Sequence, residues 1–143
     1  LAAEQAITVA SDEQIEEIRQ ATRPLYQQQL GHVEHALARF SLLRAVMVAS
    51  KNLPLQLIAK SLFEQFAPNM ESLAVFVETD HTGYADYARK LDGALQGRNA
   101  AAVRRTFEAF AKLNRESLIK AYNAAQHALD NAANTQAKEA VNR

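Results

Sequence analysis

His32 and His35 stand three residues apart, so on a helix they share a face and have the spacing at which two imidazoles can bind one metal ion. No carboxylate or third histidine accompanies them at a diagnostic spacing, and the reading favoured here is two exposed histidines at a helix start. His81 and His127 fall in a turn and near the tail and are given no role. Glu13, Glu16 and Glu17 lie near another helix start, where negative charge complements the helix dipole. No Glu-x-x-His pair accompanies them, which removes the carboxylate set of a di-iron bundle. GxSxG, P-loop and dinucleotide fingerprints do not occur, so no motif points to catalysis and the chain is read as not an enzyme.

Polar residues set into apolar rows are the remaining chemistry. Asn114 and Ser117 lie one turn apart on a face that carries Phe110, and Arg39 and Arg44 flank the core face of a helix over 33–50. A buried polar group costs free energy unless it is hydrogen-bonded. Each such residue is therefore either paired within the fold or placed for a ligand or water.

The elements that position these residues are helices. Four Gly, three Pro and no Trp, with Ala, Leu, Gln and Glu abundant, favour helix throughout. Ser11 and Gln14 have capping-box spacing, predicting a helix from about Asp12 to near Leu30 that Pro24 kinks or splits, with Gly31 as a stop. Val33, Ala36, Leu37, Phe40, Leu43, Val46 and Met47 recur at helical period, and Leu42 and Val48 widen that stripe, predicting a central helix. Asn52 and Pro54 break it and start the next, whose stripe is Leu55, Ile58, Leu62 and Phe66. Met70, Leu73, Ala74 and Val77 allow a further helix. "SLAVFVETD" has strand-like composition, but nothing nearby supplies a partner strand, so helix is assigned. Tyr84, Tyr87, Leu91 and Ala94/Leu95 restart the period, and Gly97 reads as a cap. Asn99 can N-cap the last long helix, on which Val103, Phe107, Phe110, Asn114, Ser117 and Ala121 share a face. Residues 130–143 hold few anchoring apolar groups and read as a frayed or disordered tail. The expected fold is all-α, an antiparallel bundle of about six helices over 1–129.

A 143-residue chain, 48% hydrophobic, suffices for one domain. Sixteen basic against sixteen acidic residues argue against a surface that binds nucleic acid by neutralising phosphates. Without Cys there is no disulfide framework, thiolate zinc site or thiol nucleophile, which fits a reducing cytoplasm. No apolar run approaches the ~18 residues of a membrane span. Leu1, inside the helix-like "LAAEQAI", reads as the start of a fragment whose upstream part is missing.

The stretch "ARFSLLRAVMVASKN", its break and the following "LQLIAKSLF" resemble the pattern FH-x-x-L-x-x-ASGNP and the apolar helix after it in the C-terminal effector domain of FadR-type GntR transcription regulators. "YARKLDGALQGRNAAAVRRTFEAFAKLNRES" is similar to that domain's H-x-x-I-x-x-A-L-x-x-G-D-x-x-x-A segment and last helix, and "AAEQA…SDEQIEEI" to its early segment. The resemblance covers about residues 1–125. It implies a helical bundle that binds a metabolite at its centre and controls an upstream winged helix-turn-helix, the only part to touch DNA. Many members hold a divalent metal through one Asp and three His. Those positions fall here on Arg39, Leu43, Ala88 and Leu113, so the resemblance implies a pocket free of metal and of any cofactor. "AKLNRES" is similar to the YGHES of the FadR branch, which binds long-chain acyl-CoA. Ser117 stands on its Ser, Asn114 on its Gly, and Ala121 or Tyr122 on its Trp. The expected ligand is an acyl-CoA, fatty acid or other carboxylic acid, in a cavity lined by Leu43, Met47, Ala88, Phe110 and Leu113. Tyr84, Tyr87, Asn114, Ser117 and Tyr122 complete that expected site, and Arg39 or Arg44 is the candidate for holding a carboxylate. A homodimer without membrane contact is expected. A helical interaction module without a small ligand is the alternative.

Overall fold

Ser11 Oγ accepts a hydrogen bond from the Gln14 backbone (3.2 Å), and the Ser11 N–H donates to Gln14 Oε1 (3.1 Å). This reciprocal cap fixes the start of α2 (Asp12–Thr22), which follows α1 (Ala2–Val9). The computed structural model describes residues 2–66, 68 and 80–141. After Thr22 the chain turns into a four-residue segment, α3 (Pro24–Gln27). Pro24 opens it, at a position where a missing N–H leaves no acceptor stranded. Then come α4 (His32–Ala49), α5 (Leu53–Phe66), α6 (His81–Gln96) and α7 (Ala100–Val141). Side-chain oxygens cap three of these starts: Glu34 on the Gly31 N–H (2.8 Å), Asp80 on Gly83 N–H (2.9 Å) and Asn99 on Ala102 N–H (3.0 Å). Asn52 Oδ1 likewise accepts from the Leu55 N–H at the head of α5 (3.1 Å).

The chain is all-α, with no strand among the described residues. The helix expected over Met70–Val77 lies outside them. Gly97 is the C-cap of α6, as expected, but with φ −83° it stays outside the left-handed region. The left-handed residues are Lys51 (φ 52°) and Arg98 (φ 47°), not Asn52 or Gly97. Arg98 is held there by its own side chain, whose guanidinium donates to the carbonyls of Ile7 and Ala10 (3.3 Å each) and to Asp12 (2.5 Å).

The core runs through α1, α2, α4, α6 and α7, with Ala6, Ile18, Val46, Leu91 and Val103 almost fully buried. Burial of each larger aliphatic side chain contributes about 1.5–3 kcal/mol. A polar tie joins α2 and α3 to α6. Asp92 accepts from Arg19 Nε (2.6 Å) and from the Tyr26 hydroxyl (2.7 Å). Burial alone would raise the Asp92 carboxyl, but the hydrogen bonds from Tyr26 and Arg19 outweigh it and hold the group below its usual range.

Two elements correct the sequence reading. On α4 the buried row is His35, Leu42, Val46 and Ala49, with Arg39 in the same row, while Leu37 is 54% and Leu43 36% exposed. Ala36, Leu42 and Val46 are buried as expected, but Leu37 and Leu43 turn outward because this helix is apolar on more than one side, so hydrophobic period cannot select a face. On α7 the helix continues through the segment expected to fray, as far as Val141. Its Ala-rich composition carries helix propensity without packing, for residues 126–135 are all exposed.

Candidate functional site

Helix α6 begins at the Asp80 cap, and a turn later Tyr84 is completely buried. Helix α7 brings the half-buried Asn114 and the buried Ser117 to the same place, one to two turns beyond Phe110. From α4, Arg39 reaches between them. Its Nη1 donates to the Tyr84 hydroxyl (2.7 Å) and to Asn114 Oδ1 (2.7 Å), and Tyr84 donates in turn to Asn114 Oδ1 (2.5 Å). The guanidinium carbon also stands 4.7 Å from the centre of the Tyr84 ring, a cation–π contact. Three helices thus meet at one cation and two neutral partners.

The charge balance of this cluster is incomplete. Both acceptors of Arg39 are neutral, and among the described residues no carboxylate pairs with it. Its Nε is buried and lacks a hydrogen-bond partner among those residues. Arg39 is half-buried, and a partly desolvated guanidinium without a matching anion keeps part of its desolvation cost. Burial pushes the Tyr84 phenol up from its usual range, against the Arg39 charge and the hydrogen bonds with Arg39 and Ser117, which pull it down.

His35 lies one turn before Arg39 and is 2% exposed, which corrects the expectation of an exposed pair; His32 alone is at the surface. The His35 ring packs edge-on against Tyr84 (5.0 Å between centres) and His81 (4.9 Å). Neither ring nitrogen has a hydrogen-bond partner among the described residues. Burial, then the positive charge of Arg39 and the nearby His81 and His32, push its pKa down to about 4. The imidazole is therefore neutral at neutral pH.

Of the residues selected from sequence, Arg39, Tyr84, Asn114 and Ser117 form this cluster, with Phe110 stacked on Tyr84 (5.8 Å). Ala88 is fully buried, Leu113 packs against the core, and Tyr87 tilts against Phe110 (6.2 Å). Met47 is half-buried. Leu43, Arg44 and Tyr122 are not drawn in: Arg44 is exposed and Tyr122 is 69% exposed. Sequence reasoning singled out His35 only as the partner of His32 and placed it at the surface, although its spacing of four from Arg39 on one helix was a usable signal.

A cleft of about 400 Å³ opens beside the cluster, walled by Leu25, Leu30 and Ala85, with His35 and His81 in its lining and Asp86 and Arg89 beside them. None of the residues assigned to the expected central cavity lines it. Among the described residues no three His, Asp or Glu side chains are arranged to hold a metal ion, and no helix is long and apolar enough to cross a membrane. Comparisons with protein-family models, curated proteins and solved structures find no match.

Proposed function

We propose that the chain is a ligand-binding effector domain of the GntR/FadR type, cytoplasmic and working as a homodimer, whose ligand is a carboxylic acid held at Arg39. The observation that carries this reading is the half-buried guanidinium whose hydrogen-bond partners among the described residues are the neutral Tyr84 and Asn114, with a buried Nε left over. A carboxylate offers a guanidinium a charge-assisted and potentially bidentate pair, an interaction that no described residue gives this cation. The resemblance adds that Arg39 stands where many family members have an acidic metal ligand. A fixed positive charge then takes the place of a metal. A fatty acid or smaller organic acid fits this chemistry directly. An acyl-CoA would engage it through polar groups of its headgroup, with the acyl chain against Phe110 and Leu113.

Regulation follows from differential binding. A ligand that joins α4, α6 and α7 at their meeting point favours whichever helix arrangement offers the three groups together, and DNA binding by an upstream module shifts with it.

The test is native mass spectrometry of the chain with octanoate, longer fatty acids, acyl-CoAs, small organic acids and divalent metals. A one-to-one acid or acyl-CoA adduct in the parent, lost in Arg39→Met, supports the reading. No adduct with any member, or one that persists in Arg39→Met, contradicts it.

A second reading, a helical interaction module without a small ligand, is favoured by exposed apolar residues. Leu53, Leu57, Ile58 and Leu62 of α5, and Leu118, Ile119, Tyr122 and Leu129 of α7, face solvent. Sedimentation that shows a tight dimer, combined with no adduct, would move the conclusion to this reading.

A further inference from the structure

We infer that an acid bound at Arg39 is taken up together with one proton, which His35 accepts, so that the site binds its ligand more tightly as pH falls. The inference rests on the carboxylate site proposed above and adds its regulation.

Geometry brings the two groups into one electrostatic unit. His35 and Arg39 are successive residues of the buried row on α4, and both pack on Tyr84: the imidazole edge-on at 5.0 Å and the guanidinium over the ring at 4.7 Å. Both groups share the Tyr84 ring as a neighbour, so their charges interact across a partly buried, low-dielectric region. In the empty site the Arg39 charge opposes a second positive charge at His35. An anion resting on Arg39 cancels that opposition and adds attraction of its own. The ligand enters as a carboxylate, His35 takes one proton from solvent, and the charge brought into the site sums to zero.

The proton has a route and a seat. His35 lines the 400 Å³ cleft, which is open to solvent, while its two ring nitrogens lack partners among the described residues. Among the described residues, the other charged or titratable groups nearby are exposed or already paired. On α4 the charged or titratable neighbours are His32 and Arg39, and on α6 they are His81 and Tyr84. Asp86 and Arg89, beside the same cleft, pair with each other at 3.0 Å. Asp80 caps Gly83 at the head of α6. From α3, the Tyr26 hydroxyl is committed to Asp92. On α2, Glu16 pairs with Arg19 and Arg23, and Lys60 of α5 pairs with Glu64. Helix α7 presents the uncharged Asn114 and Ser117. His32 and His81 are exposed to solvent, whereas His35 is buried beside Tyr84 and one turn from Arg39.

The experiment is calorimetric titration of the chain with octanoate between pH 7.5 and 5.5, where octanoate stays chiefly ionised, in two buffers of different ionisation heat. The expected result is affinity that rises toward low pH, by up to about tenfold per pH unit, with net proton uptake on binding. His35→Gln should still bind octanoate with neither pH dependence nor uptake, and His32→Gln/His81→Gln should keep both. NMR titration of the His35 ring in the unaltered chain reads the same event without a variant, as a higher pKa in the octanoate complex. Binding without uptake, uptake that survives His35→Gln, or an unshifted His35 overturns the coupling and leaves the carboxylate site standing. Absence of octanoate binding at every pH removes the site itself.

Discussion

Arg39, Tyr84 and Asn114 are joined by three part-buried hydrogen bonds, so removing any one group costs each of the other two a partner. Tyr84→Phe deletes an acceptor of Arg39 and a donor to Asn114 while preserving the ring. It should cost about 1–3 kcal/mol in urea unfolding, the range for leaving a buried polar partner unsatisfied. His35 makes a second prediction at this scale. Its imidazole titrates near 6.5 in the unfolded chain and is pushed down to about 4 in the fold. Between those values the unfolded state carries more protons, so stability rises with pH. The contribution is complete above pH 6.5 and is lost as the pH falls toward about 4, roughly 3 kcal/mol in all. Urea midpoints measured from pH 7 to pH 4 should show this loss, and His35→Gln should flatten that part of the profile.

At the scale of elements, helix ends carry much of the specification. Lys51 holds a left-handed conformation that costs a side-chain-bearing residue about 1 kcal/mol, and its side chain is exposed. Lys51→Gly should therefore raise stability by about 0.5–1 kcal/mol, read as a higher urea midpoint. The caps at Ser11 and Asn99 and the break at Pro24 were legible in sequence because they are local, set by residues within four positions of each other. The buried faces of α6 and α7 were legible too, since their large apolar residues from Tyr84 to Leu95 and from Val103 to Phe110 recur at helical period. Helix α4 was not. Leu37, Leu43 and Val48 are as apolar as the buried Leu42 and Val46, so the face is chosen by what lies opposite. Arg39 finds its partners 45 and 75 residues away, and no local pattern announces that pairing. Leu43, read as a pocket wall, turned outward for the same reason.

For the whole molecule, one core joins α1, α2, α4, α6 and α7, and the α7 extension past it stands apart. Ending the chain after Leu129 should leave the urea midpoint within about 0.5 kcal/mol of the parent, because residues 130–135 are exposed. A larger loss would show that the extension packs on something, as the interaction-module reading requires. The ligand reading, by contrast, places the functional charge at the centre, where three helices share it. Its most direct measurement is an NMR titration that follows the Arg39 Nε–H resonance as octanoate is added. The account predicts a saturable shift of this resonance together with those of Tyr84 and Asn114, at one equivalent of bound acid. An Arg39 resonance that stays in place while the chain is saturated with acid, or that moves only with surface arginines such as Arg44, contradicts it.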